Sequence, residues 1–579
     1  MGDSNIFMEL QDYFSIKYLL RFGYFDFKPS KTNTKNDEYA IFQTFHNKIF
    51  TCDSMSLEFS EDLNKLDANF SDTSLDIDTI PIEFTIDKNN DARRIYKMPN
   101  MYSYVRLIRH INENRDIYIQ IIEKSQKSIS KYFYTNSFLE NIKIREKCKF
   151  GKKYLFKTDI QEFYSSIYTH SIPWVLEGKK VAKKNRDKSE YFNRLDSLVQ
   201  RCQYGETHGI PTGTFASRII SEVYMCKIDE KLDGYNYVRY VDDFELSYNK
   251  DIEQINFYNI LSRELRDINL KIKIEKNKKE VFPFKKASNI SEIYNFLDEN
   301  KLKHKEFGKK LSVIHTFIDL CIEKERNGEK GALKNLFIAL TQFASNSDSS
   351  IIYKTIIFKL VNLVIMKPVL GSYFIDLIDT LNDVKVNNYI KEVLKENKEL
   401  IEENLRFYIE MNYHQEAYSI LSLFYFIDFN DVNESILLDI IKYLDDFNSI
   451  LSIEIYGNIQ KPDWSKLFST LENKLNDSFS WKDEFWLLKY EIFYKVKNEK
   501  DSLFTKEYKI YMHNKYASTE DMNKFFSNEK ERKSTKSPIE YLCQKKNDHK
   551  QDKNMNIWRF YDTLLKYKVS FLYRNKLTK

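Results

Sequence analysis

Between residues 300 and 579, Leu, Ile, Phe and Tyr recur at helical spacing among charged residues, as in 390–425 and 435–455, and only five glycines and three prolines interrupt the stretch. Periodic apolar stripes with so little turn punctuation predict an α-helical domain. Successive amphipathic helices of this kind suit a helix-pair scaffold of solenoid type. The whole chain of 579 residues has 13 glycines and 9 prolines, too few for an all-β sandwich or propeller. At roughly 150 residues per domain, the length predicts two to four domains. A content of 42% hydrophobic and 15% aromatic residues excludes global disorder.

The net charge of +5 names no partner, but it hides an asymmetry. Residues 1–90 carry 8 Lys/Arg against 16 Asp/Glu, whereas residues 91–200 carry 23 against 12. The second block can attract polyanions, and its densest part is Lys179, Lys180, Lys183, Lys184, Arg186 and Lys188; a plain solvated face is the competing reading. The six cysteines form no C-x-x-C pair and no zinc-spaced cluster with histidine, which predicts free thiols in a reducing compartment. The N-terminus lacks a basic and apolar leader, Ile6 spoils a myristoylation pattern, and the most apolar stretch, 351–370, is broken by Lys354, Lys359 and Lys367. A soluble cytoplasmic protein without a membrane partner is therefore expected. The Lys-rich segment 527–555 reads as a long loop before a last helix, and 100–130 and 190–230 read as helical.

Chemistry concentrates between residues 154 and 249. Residues 235–249 read as two β runs with Asp242 and Asp243 at the tip of a hairpin. Upstream, Tyr154-Leu-Phe-Lys-Thr-Asp-Ile160 is a β-type run ending in Asp159 and leading into Gln-Glu-Phe-Tyr. Aspartates at turns commonly serve the local backbone, but carboxylates brought together from separate strands are also what a two-metal phosphoryl-transfer site requires. Between them, Gly209-Ile-Pro-Thr-Gly213 opens a helix, either as a simple capping turn or as a loop whose glycines let backbone approach a ligand.

In order and spacing these pieces resemble the reverse-transcriptase palm: an aspartate followed by Phe163-Tyr164, a Gly-Ile-Pro-x-Gly loop and a Tyr-Val-Asp-Asp hairpin. The resemblance implies an α+β fold, a fingers/palm domain followed by an all-α HEAT-like helical-repeat domain. It implies that Asp159 and Asp242, with Asp243 beside them, hold two Mg²⁺ ions, with Mn²⁺ as a substitute. It makes Tyr164 the gate against a ribose 2′-hydroxyl, so dNTPs are the expected substrates, with Gly213 in the nucleotide-binding loop. Asp91-Ala-Arg-Arg-Ile-Tyr-Lys-Met-Pro99 resembles the fingers motif that grips the triphosphate, through Arg93, Arg94 or Lys97, and Ile274-Glu-Lys-Asn-Lys278 resembles the motif whose lysine, Lys278, assists the leaving pyrophosphate.

Tyr96-Lys-Met-Pro-Asn-Met-Tyr-Ser-Tyr104, Tyr168-Thr-His-Ser-Ile-Pro-Trp174, Cys202-Gln-Tyr and Glu206-Thr-His-Gly209 narrow the resemblance to the AbiK branch of bacterial abortive-infection reverse transcriptases. Leu20-Arg-Phe-Gly-Tyr24 and Gly328-Glu-Lys-Gly-Ala-Leu-Lys334 extend it outside the palm, and past about residue 340 it fades to general helical character. Thr212 and Thr214-Phe215 stand where Gln and Ser-Pro are usual beside a templating base pair, a departure that puts template reading in doubt. The branch makes DNA without a template, starts it on a tyrosine of the protein, keeps the single-stranded product covalently attached and forms closed homo-oligomers, here expected as a trimer or hexamer. A phage protein is the implied trigger. Asn36-Asp-Glu-Tyr39 resembles the acidic-tyrosine segment that carries the primer, which points to Tyr39. The corresponding division is 1–90 for the N-terminal segment and part of the fingers, 91–300 for the fingers/palm and 301–579 for the helical domain. The alternatives are a templated RNA-dependent DNA polymerase of retron or intron type, and a catalytically silent scaffold binding a phage protein. His170 and His208 are expected to be hydrogen-bonded structural groups, and Phe424, Tyr425 and Phe426 to be core.

Overall fold

The computed structural model describes residues 8–26, 29–30, 40–41, 49–66, 76–89, 92–284, 290–299, 306–345, 350–475, 481–517 and 555–573. Tyr39, Asp91 and nearly all of the Lys-rich segment 527–555 lie outside them.

The site-bearing sheet is built around β3, Tyr154–Asp159, after the hairpin β1, Ile82–Asn89, and β2, Ala92–Met98. β3 lies between β5, Asp243–Tyr248, and β6, Lys278–Val281, and β4, Tyr237–Tyr240, adds to the free side of β5, all antiparallel. Leu155 and Phe156 of β3 are buried on opposite faces, because helices and loops cover both sides of this sheet. Tyr154 stacks on its cross-strand partner Tyr248 at 5.3 Å between ring centroids. The helix α1, Phe215–Asp229, buries nearly its whole length behind the sheet, and Thr214 caps it by accepting from the Ser217 N–H. Residues 190–230 are thus helical only at their two ends, 191–201 and 215–229, with the glycine loop between them.

The β1–β2 hairpin does not stand free. Phe84 packs against His414, Tyr418 and Phe447 at 5.9 Å each, and the Thr85 hydroxyl donates to the Asn412 carbonyl at 2.6 Å. These contacts come from α2, His414–Phe426, and its neighbours. From Phe307 onward every described regular element is a helix, and successive ones, such as Glu434–Tyr443 and Asp446–Tyr456, pack side by side. Phe424 is buried in this half, with Tyr425 and Phe426 packed against the core as expected. The last described helix, α3, Met555–Lys566, returns to the first half: Tyr561 stacks on Trp481 at 4.3 Å and donates to the Asn100 side chain at 2.6 Å. The chain is thus α+β, a sheet-bearing half followed by helices, and the helices close back onto the first half.

Five cysteines, Cys52, Cys148, Cys202, Cys226 and Cys321, are free thiols. Among the described residues no helix is long and apolar enough to cross a membrane.

Candidate active site

The carboxylates converge through strand register. Asp159, the last residue of β3, lies directly opposite Asp243, the first of β5. The hairpin tip is the pair Val241–Asp242, since Tyr240 pairs with Asp243 across it. Asp243 is therefore a strand residue facing Asp159, and Asp242 alone occupies the turn position beside them. The Asp242 carboxyl is within hydrogen-bonding reach of Asp159.

This crowding has an electrostatic cost. Burial and the charges of Asp159 and Asp243 push the Asp242 carboxyl up to about 7, and burial and Asp159 raise Asp243 too. The facing cation is Lys276, whose Nζ lies 3.5 Å from Asp159 Oδ2. Among the described residues no group of three or more His, Cys, Asp and Glu side chains is gathered into a preformed metal cage. The donor set nevertheless suits a hard divalent cation: it is all oxygen, underneutralised and partly desolvated.

Around the carboxylates, Tyr164 points its hydroxyl at Ser221 of α1, 3.0 Å away, and burial pushes it up to about 12. Gly213 has φ +112°, and a Cβ there would lie 2.8 Å from Met98 Sδ and 3.3 Å from the Tyr96 ring, so the loop approaches β2 as only glycine allows. Backbone bonds fasten the two: the Lys97 N–H donates to the Thr212 carbonyl at 2.9 Å, and the Thr212 hydroxyl to the Ile95 carbonyl at 2.8 Å.

Alternation along β2 sorts the basic residues. Arg94 shares its face with Tyr96 and Met98, which meet the glycine loop, and its side chain is exposed. Arg93 turns the other way: it binds Glu416 with both Nη atoms, at 2.8 and 2.7 Å, and lies over the Tyr413 ring at 3.9 Å. Of the two, Arg94 is therefore the one open to a triphosphate. Lys97 lies 3.8 Å from Glu83 on its own hairpin. Lys278 is exposed opposite Lys157 in the sheet, so Lys276, two residues earlier in the same motif, is the lysine beside the carboxylates. The sequence points to Lys278; the short 3-10 turn Ile274–Lys276 instead brings Lys276 to the carboxylates.

His170 bonds Asp196 at 2.7 Å, as expected of a structural group, whereas His208 is exposed, with its ring centre 5.8 Å from that of Tyr168. The basic cluster is exposed at the surface, with Lys179 Nζ 4.4 Å from the Trp174 ring centre. A buried polar group also lies behind the site: Arg239 is fully enclosed with Asp229 and Glu222. Its one sequence signal is an arginine inside an otherwise apolar strand next to the acidic turn.

Residues 86–306 match the family model described as reverse transcriptase (RNA-dependent DNA polymerase). No curated protein matches the sequence. Among solved structures, the chain is similar to telomerase from Candida albicans in complex with a fragment of telomeric RNA, over 65% of this chain and 71% of that one, at 11% identity and a TM-score of 0.26. It is likewise similar to apo telomerase from Candida tropicalis, over 78% and 75%, at 12% identity and a TM-score of 0.31.

Proposed function

We propose that this chain, whose residues 86–306 carry a reverse-transcriptase domain, is a protein-primed, template-independent DNA polymerase acting in abortive-infection defence against phage. The observation that carries the polymerase chemistry is the facing of Asp159, Asp242 and Asp243 with a single neighbouring lysine. Asp159 and Asp242, with Asp243 beside them, would hold Mg²⁺, which supplies charge neutralisation at the attacking and leaving oxygens. The chain's own residues do the rest. Arg94 meets the triphosphate, Tyr164 closes the space beside the sugar with its hydroxyl held by Ser221, and Gly213 lets the nucleotide-side loop pack closely on β2. Lys276 lies where negative charge accumulates as pyrophosphate leaves. A hydroxyl, first that of Tyr39 and then each new 3′-OH, forms the bond to the α-phosphate as the bond to pyrophosphate breaks.

Untemplated synthesis is supported by what Thr212 and Phe215 do. The Thr212 hydroxyl is spent on the fingers backbone, and Phe215 is wholly buried among Tyr13, Tyr18 and Phe133, with centroids 4.9–5.5 Å away. Side chains turned into the protein at these positions present nothing to a templating base. The reading carries with it a covalently attached single-stranded DNA product, a homo-oligomer and a phage protein trigger.

The test is incubation of purified protein with Mg²⁺ and labelled dNTPs, without template or primer. Label that stays on the denatured protein, disappears in Asp242→Asn and is lost in Tyr39→Phe is the expected result. Incorporation only after RNA and a primer are added would replace this reading with a templated polymerase.

A further inference from the structure

The turn that presents Asp242 is held in an unfavourable shape. Val241 has φ +58°, the left-handed region, where a β-branched side chain is a genuine outlier. Two-residue hairpin loops of this kind ordinarily use Gly or Asn at such a position. Such a conformation persists only where the surroundings over-determine it.

Both backbone polar groups of Val241 are taken by side chains. The Ser130 hydroxyl accepts from the Val241 N–H at 2.9 Å, and Arg239 Nη1 donates to the Val241 carbonyl at 2.8 Å. Both lead to one carboxylate, Glu222 of α1. Glu222 Oε2 accepts from Ser130 at 2.7 Å, and Oε1 accepts from Ser128 at 2.5 Å and from Arg239 Nη2 at 3.0 Å. Arg239 Nε and Nη2 also grip Asp229, at 3.0 and 2.7 Å, which uses the flat guanidinium on every side. The residue before Glu222 on α1 is Ser221, which bonds the Tyr164 hydroxyl.

We infer that Arg239, Glu222 and Ser130 are positioning residues that clamp Val241 in its left-handed conformation so that Asp242 faces Asp159, and that α1 thereby sets the carboxylate turn and the sugar-side tyrosine from adjacent residues. The inference rests on the polymerase reading for what Asp242 is for. The geometry of the clamp stands apart from it. A cluster that only stabilises the fold would gain nothing from relief of strain at Val241, and this separates the two roles. Glycine adopts positive φ freely, so Val241→Gly removes the need for the clamp.

The experiment uses the full chain as wild type, Ser130→Ala, Val241→Gly, the double variant of these two, and Arg239→Lys. Mn²⁺ binding is measured by calorimetry, the Mg²⁺ dependence and dNTP KM by incorporation, and folding by thermal melting. Ser130→Ala is expected to weaken Mn²⁺ binding about tenfold, the scale seen when a group orienting a metal ligand is lost. It should raise the Mg²⁺ needed for half-maximal incorporation and leave the dNTP KM unchanged, because the Tyr164–Ser221 contact is intact. Val241→Gly should recover most of this loss in the double variant. Unchanged Mn²⁺ binding in Ser130→Ala, no recovery in the double variant, or no Mn²⁺ binding by wild type each overturns the inference. A wild type that binds Mn²⁺ but incorporates no nucleotide sinks the polymerase reading instead, and the Mn²⁺ series still decides the clamp. Arg239→Lys, which loses the fork, is expected to fall at least as far as Ser130→Ala.

Discussion

Asp242 at the sheet and Asp446 in the helical half are both buried carboxylates whose affinity for protons is raised, and they serve opposite ends. At the sheet, Asp242 is raised by burial and by Asp159 and Asp243, and the lysine beside this cluster, Lys276, lies 3.5 Å from Asp159. In the helical half, Asp446 is also raised, mainly by burial. There the fold supplies donors to one carboxyl oxygen, while Asp446 Oδ1 is buried without a hydrogen-bond partner. Asp446 Oδ2 accepts from the N–H groups of Leu487 and Leu488, at 3.0 and 2.9 Å, at the start of the helix Trp486–Asn498, and Lys474 faces it. Lys474 itself donates to the carbonyls of Ile441 and Leu444 at 2.7 and 2.5 Å. A raised carboxyl therefore does not by itself mark a site for an external cation; at Asp242 it is the carboxylates of Asp159 and Asp243 converging from the sheet that do.

The sharpest way to break this comparison is Asp242→Asn. It is expected to lower nucleotide incorporation about a thousandfold or more and yet to stabilise the metal-free protein. The sign follows from the direction of the shift: with a folded value near 7 above the ordinary carboxylate value, the protonated form favours folding. That contribution is complete below pH 4 and is lost as the pH rises through 7. Denaturation midpoints in chelator should then show the variant ahead by about 1–3 kcal/mol at pH 8, with the gap closing toward pH 4. A variant less stable than wild type at pH 8 would break the comparison.

Lys474→Met tests the other half. Removing the cation takes a positive charge from beside Asp445 and Asp446 and breaks its bonds to the Ile441 and Leu444 carbonyls, at an expected cost of about 3 kcal/mol in urea denaturation. Incorporation per folded molecule at low temperature is expected to be unchanged.

The two neighbouring arginines should divide in the same way. Arg94→Ala is expected to raise the dNTP KM about tenfold with little change in thermal midpoint, whereas Arg93→Met loses about 1–2 kcal/mol of stability through its bond to the partly buried Glu416. A KM effect confined to Arg93 would reverse the face assignment along β2.

The smallest expected effect is that of Lys276→Ala, a several-fold fall in kcat. Lys276 also lowers the Asp243 carboxyl, so its loss should move the acid limb of the pH–rate profile upward. A shift downward, or none, would mean that Lys276 is not facing the carboxylates in solution.

Much of the site was legible in the sequence because it is local. A strand ending in Asp159, a Gly-Ile-Pro-x-Gly loop and an acidic hairpin each carry their own short-range signal, and antiparallel pairing then brings the two carboxylate runs together. What was not legible came from side-chain direction and from distant partners. Arg93 and Arg94 are adjacent and equally basic, and only strand alternation together with Glu416, 323 residues away, separates them. The choice of Lys276 over Lys278 depends on one turn of 3-10 helix.

The long helical second half and the aspartates at a strand end and a hairpin tip are written in consecutive residues, and the resemblance to the reverse-transcriptase palm added the α+β class and the meeting of those aspartates. The tertiary structure alone decided that the helices fold back to hold the fingers hairpin and that Arg239, Glu222 and Ser130 fix a left-handed valine beside Asp242. It also decided that Asp446 sits beside Lys474 and two backbone N–H groups where Asp242 meets two further carboxylates. The physical reason is that burial, counter-charge and hydrogen-bond closure are properties of residues far apart in the chain. Their sign is set only when packing brings those residues within a few ångströms.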